Sequence, residues 1–112
     1  NNITLPAASA AVAGEVRTVG WYYDGTANLL YGFRGAGSGD TVSWTAGATV
    51  NIAPGAEAQD VSGIGSPVGK IQGALCIEFT TPPLIATVQT AVAQCRANWK
   101  AGTKVLPAAL RA

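Results

Sequence analysis

Few side chains in this chain are able to do chemistry. The acids are Glu15, Asp24, Asp40, Glu57, Asp60 and Glu78, and histidine is absent. Without an imidazole the commonest general base and metal ligand are missing, and a Ser-His-Asp arrangement cannot be assembled. Lys70, Lys100 and Lys104 have no signature serine nearby for a Ser-Lys dyad. The run Gly35 to Gly39, GAGSG, lacks the GK[ST] ending of a phosphate loop. Asp24 and Asp40 sit in glycine-rich turns, where aspartate commonly serves local hydrogen bonding. Glu57 and Asp60 lie in one loop but offer too few oxygens for a calcium site. No carboxylate pair is singled out for glycoside hydrolysis. No enzymatic role, cofactor or metal is expected.

The remaining candidates are aromatic residues and thiols. Trp21-Tyr22-Tyr23 could stack a sugar or a base. In a strand, however, Tyr22 points away from its two neighbours, so core and interface packing is the expected use. Asn2-Ile3-Thr4 fits the N-glycosylation pattern, which is short enough to recur by chance. Cys76 and Cys95 are the only cysteines. An even pair in a secreted chain reads as one disulfide, and closing a loop of about twenty residues would stabilise the fold by roughly 3 kcal/mol. The competing reading is two buried thiols.

Composition narrows the class further. At 112 residues the chain is expected to be a single globular domain spanning 1–112. Only 12% of residues are charged, against an average of about 25% in soluble proteins. A net charge of +1 provides no basic stripe for neutralising phosphates. A surface so sparsely charged suits packing against copies of itself or a partner. No apolar run reaches the ~18 residues of a membrane span. The sequence contains no methionine, so a processed, secreted form is expected.

The elements that would position these residues are mostly strands. Val, Thr, Trp and Tyr over residues 14–23 favour a strand. An Asp-Gly turn at Asp24–Asn28 and the returning LLYGFRG complete a hairpin. Short strands follow at TVSW and ATVNIAP, then an irregular stretch over 55–69. KIQGALCIEFTT reads as the clearest strand, stopped by Pro82-Pro83. Residues 84–100 fit two periods. As a helix they align Leu84, Ile85, Val88, Ala91, Val92, Cys95 and Trp99, with Gly102 at the C-terminal cap. As a strand they alternate Ala91, Ala93, Cys95, Ala97 and Trp99 on one face. The expected fold is mainly β, with α+β as the alternative. It is a single antiparallel sheet of four to six short strands, with glycine-rich loops and at most one helix near residues 84–100.

The ending NWKAGTKVLPAALRA resembles the terminus of type IV pilins, in which a tryptophan strand leads through a short loop to a Leu-Pro-Ala tail. Trp99, Lys104, Leu106, Pro107, Ala108 and Arg111 carry the match. Pilins usually place one cysteine just after the tryptophan and another before the terminal arginine, whereas this chain has Cys76 and Cys95. The long hydrophobic N-terminal helix of pilins is also missing from this sequence, as in a globular head cut from a longer pilin or in the helix-less subunit of a split pilin. The resemblance implies the solvent-facing head of a secreted, extracellular filament. Its partners would be other copies of itself, a short helical pilin subunit, or both. The implied interface residues are Trp21, Leu30, Phe79, Trp99, Leu106 and Pro107, with a strand over Ala91–Trp99. The alternative is similarity to coat proteins of single-stranded RNA bacteriophages, which run from a sheet into C-terminal helices that interlock in a dimer. Only that reading implies nucleic acid, with Arg17, Arg34, Lys70 and Gln72 as the residues facing it.

Overall fold

The computed structural model describes residues 5–7, 13–37, 39–49 and 73–111. Among the described residues the fold is an open four-stranded antiparallel sheet with a single α-helix. Strands β1 (Thr18–Asp24) and β2 (Leu29–Gly35) form the hairpin, in register from Thr18 opposite Gly35 to Asp24 opposite Leu29. The Asp24 carboxylate sets the turn by accepting hydrogen bonds from the N–H groups of Thr26 (2.9 Å) and Ala27 (3.1 Å). Asn28 closes the turn in the left-handed region (φ 55°), a conformation asparagine tolerates.

The far side of β2 is covered by two short pieces. β3 (Val42–Trp44) pairs with its C-terminal half and β4 (Ala48–Thr49) with its N-terminal half. Thr45 bridges the break: its N–H donates to the Gly32 carbonyl (2.9 Å), and its hydroxyl accepts from the Gly32 N–H (2.9 Å). A side chain here does the work of a missing ladder bond. Of the expected ATVNIAP strand only Ala48–Thr49 is described as strand; the rest, like the irregular 55–69 stretch, lies outside the described residues.

Helix α1 (Ile85–Lys100) resolves the two-period ambiguity. The strand implied for Ala91–Trp99 is therefore corrected. Alanine and glutamine favour helix, and Gly102 (φ +83°) ends it with paired bonds from Gly102 N–H to Trp99 O (3.0 Å) and Thr103 N–H to Asn98 O (2.8 Å). Leu84, placed in the buried stripe by periodicity, is the N-cap residue and is 78% exposed. After the helix a 3-10 turn, Ala108–Leu110, returns the chain so that Leu110 is buried. Asn98 Nδ2 donates to Val105 O (3.1 Å), and Arg111 Nε donates to Leu106 O (3.0 Å), fixing that tail.

A second correction concerns KIQGALCIEFTT. Residues 73–79 form no strand, and Lys70–Gln72 lie outside the described residues. The segment's two ends instead pack on Trp99 of α1 and on Tyr22 of β1. Gly73 lies so close to the Trp99 ring that an added Cβ would sit 2.0 Å from it. Phe79 meets Tyr22 edge-on, with centroids 6.3 Å apart. Only Ile77 and Phe79 of this stretch are half-buried, so half of the expected alternation survives without a ladder.

One sheet face carries Thr18, Gly20, Tyr22, Phe33, Tyr31 and Trp44, and α1 lies on that side. Rings fill the space that glycines leave. Phe33 folds over Gly20, its cross-strand partner, and packs on Trp44 at 4.7 Å. Among the described residues the buried apolar ones are Tyr22, Val88, Ala91 and Leu110, each large one contributing about 1.5–3 kcal/mol. Substituting Gly102→Ala should cost about 1 kcal/mol by forcing a side chain into the left-handed region, and should leave the fold intact. A urea titration checks this through a lower midpoint at unchanged slope.

Candidate functional site

The helix is tied to the hairpin by one buried cation. Arg96 is 3% exposed, although it lies on the flank of the apolar stripe. Its Nη1 donates to Val16 O (2.8 Å) and Thr18 Oγ1 (2.9 Å), and its Nη2 to Gly37 O (3.1 Å) and Gly39 O (3.2 Å). Its Nε is buried with no hydrogen-bond partner among the described residues. Gly35 lets the stem pass, since an added Cβ would meet Arg96 Cδ at 2.9 Å. One turn on, Lys100 Nζ donates to Gly39 O (2.7 Å) and pairs with Asp40 (3.0 Å). Tyr22 anchors the other end, its hydroxyl donating to Pro83 O at 2.6 Å. Burial, then the nearby Asp24 and Tyr31, raise the Tyr22 phenol above its ordinary pKa.

Of the four described acids, Glu15, Asp24 and Asp40 are engaged in structure. Glu15 pairs with Arg17 (3.0 Å) and accepts from the Gly37 N–H. Asp40 holds Lys100 and Asp24 caps the hairpin turn, while Glu78 is exposed. Glu57 and Asp60 lie outside the described residues, as does Asn2-Ile3-Thr4. Among the described residues no three His, Cys, Asp or Glu side chains cluster as metal ligands, and no helix is long and apolar enough to cross a membrane.

The opposite sheet face carries an exposed apolar stripe. Val19, Trp21 and Tyr23 alternate along β1 on the side away from α1, and Trp21 is 68% exposed. Leu30 lies directly opposite Tyr23 and shares that face. The Tyr23 hydroxyl donates to Asn28 Oδ1 at 3.0 Å, which fixes the ring at the turn end.

The six interface residues read from the sequence do not form one surface. Trp21 and Leu30 share the open face. Phe79 packs against Tyr22 on the helix side. Trp99 belongs to α1 and lies against Gly73. Leu106 is half-buried, and Pro107 lines a shallow groove with Ala86, Thr90, Gln94 and Ala109. Of the residues that would face RNA, Arg17 pairs with Glu15 and Arg34 Nε donates to Pro6 O (2.9 Å). Lys70 and Gln72 lie outside the described residues. The Cys76–Cys95 disulfide is not formed in this structure. Both are free thiols, Cys76 exposed and Cys95 half-buried, with burial raising the Cys95 pKa.

Arg96 escaped the sequence reading because arginine at the flank of an amphipathic stripe ordinarily reaches solvent. The available signal was the alternating Gly35, Gly37 and Gly39, of which Gly35 leaves room for the Arg96 stem and Gly37 takes a left-handed turn (φ +81°). Comparison with protein-family models, curated proteins and solved structures gave no match to this chain.

Replacing Arg96 with alanine would remove the donors to the Val16 and Gly37 carbonyls and the Thr18 hydroxyl, Gly39 O keeping Lys100, and should cost about 3 kcal/mol. The check is thermal or urea unfolding, with the helix signal lost in the same transition. Alkylation at pH 8 should modify Cys76 roughly ten times faster than Cys95, because only the thiolate reacts and the Cys95 thiol is shielded and harder to ionise. Peptide mapping after a timed iodoacetamide pulse reads the order.

Proposed function

We propose that this chain is a non-enzymatic structural subunit, the solvent-facing β-rich head of a type IV pilin-like extracellular filament. Its role is to pack against a hydrophobic pilin helix supplied by a partner subunit. The observation that carries this reading is the Val19-Trp21-Tyr23 stripe, with Leu30 beside it, on the sheet face that the chain's own helix leaves open. An exposed tryptophan flanked by apolar residues is the kind of anchor that dominates binding energy at interfaces. A chain only 12% charged loses little by desolvating such a face against an apolar helix. The C-terminal likeness to pilins adds support through Lys104, Leu106, Pro107, Ala108 and Arg111, although Trp99 stands on a helix and not on a strand.

The phage-coat reading is favoured by one feature, the helix Ile85–Lys100 that follows the sheet in the chain. Against it stands the anchoring of that helix within its own chain, since Arg96 and Lys100 bind Val16, Thr18, Gly39 and Asp40. A helix exchanged between subunits would have to give up these bonds or remake them in the partner.

Co-expression with a short hydrophobic pilin helix subunit, followed by electron microscopy, separates the two. Filaments containing both chains are expected. Trp21→Ala should lower incorporation by about tenfold or more, as for a central aromatic anchor, with the melting temperature of the isolated head nearly unchanged. Uniform spherical particles containing RNA would overturn the filament reading.

A further inference from the structure

The open stripe borders a second unsatisfied feature, the outer edge of β1. β1 is the terminal strand in the order β1-β2-β3, and among the described residues nothing pairs with its outer side. The side chains of Thr18, Tyr22, Tyr23 and Asp24 make hydrogen bonds, but none of these bonds occupies the edge backbone of Thr18–Asp24. Proteins usually blunt such an edge with lysine, proline, a bulge or a covering segment. TVGWYYD has no lysine, arginine or proline, and its register with β2 is unbroken over seven residues.

We propose that this edge pairs with the same edge of a second copy of the chain, antiparallel and centred on Trp21. The strand is self-complementary in that register. Trp21 meets its own copy, Val19 meets Tyr23, Gly20 meets Tyr22, and Thr18 meets Asp24. The open face then gains an aromatic pair flanked by two Val–Tyr pairs, the combinations that stabilise antiparallel sheets. On the other face Gly20, already covered by Phe33, meets Tyr22, and Asp24 meets Thr18, so no like charges oppose. The net charge of +1 per chain adds little repulsion between two copies. The pairing concerns the isolated head and does not rest on the filament reading.

Cysteine cross-linking of the purified chain in a Cys76→Ser background tests the register. Partners across an antiparallel pair lie about 4.5–5.5 Å apart at Cα, within disulfide reach. Trp21→Cys should therefore link to itself under mild oxidation. Val19→Cys and Tyr23→Cys should each fail alone, because the like positions stand roughly 13 Å apart, yet link when mixed. Sedimentation equilibrium of the unaltered chain should show a monomer–dimer equilibrium. Trp21→Lys, which sets two ammonium groups face to face, should weaken that dimer at least tenfold without changing the far-ultraviolet spectrum. A chain that stays monomeric at all concentrations overturns the proposal. So does self-linking of Val19→Cys, or cross-linking indifferent to position.

Discussion

The structure depends on how one guanidinium is accommodated. Arg96 is buried without a carboxylate among its hydrogen-bond partners; its charge is met by the carbonyls of Val16, Gly37 and Gly39 and by the Thr18 hydroxyl. Removing such a cation from water costs several kcal/mol unless its donors are satisfied. The hairpin's entry, the 35–40 loop and the helix must therefore assume their relative positions together or not at all. Gly35 is part of the same constraint, because any side chain there would occupy the path of the Arg96 stem. Lys100 repeats the arrangement one turn later at the surface, with Gly39 and Asp40. With Asp40 exposed and Lys100 half-buried, that pair is worth less than its buried neighbour, but it draws the same loop to the same helix.

Such a polar anchor is needed because the apolar core is small. Among the described residues only Tyr22, Val88, Ala91 and Leu110 are buried apolar side chains. The fold enlarges its contacts by setting aromatic rings over glycines: Phe33 over Gly20, Tyr31 over Gly47 and Trp99 over Gly73. Each glycine costs conformational entropy on folding, and each ring recovers part of it by contacting backbone that a side chain would otherwise cover. The high glycine content thus serves two purposes. Some glycines permit close approach of a ring or an arginine stem, and others, such as Gly102, adopt a backbone geometry few residues tolerate.

The hairpin was readable from local chemistry. Asp24-Gly25 marked the turn, and alternation along β1 separated Tyr22 from Trp21 and Tyr23. The fold class followed from the same signals. Residues 84–100 could not be settled by periodicity, because an alanine-rich segment satisfies both repeats. The decision rests on capping at Gly102 and on tertiary bonds from Arg96. The segment 73–79 misled for the converse reason. It alternates as a strand should, but strand formation needs a partner edge, and Gly73 and Phe79 are instead committed to Trp99 and Tyr22. The candidate interface was legible only in part. Trp21 and Leu30 share a face through a register that the turn fixes, whereas Phe79, Trp99 and Pro107 are drawn to the helix side by contacts no local pattern encodes.

The two sides of the sheet are consequently unequal, and this inequality bears on function. The side that faces α1 uses its aromatic residues and its one buried cation to hold the chain together. The other side carries Val19, Trp21 and Tyr23 with no partner element over them among the described residues, beside a strand edge that also lacks one among those residues. An exposed tryptophan beside an unprotected edge favours aggregation. Selection for stability alone would replace these residues with charged ones at little cost, since surface substitutions usually change stability by less than about 0.5 kcal/mol. Burial of Trp21 and its neighbours against a partner, as proposed above, would remove that liability.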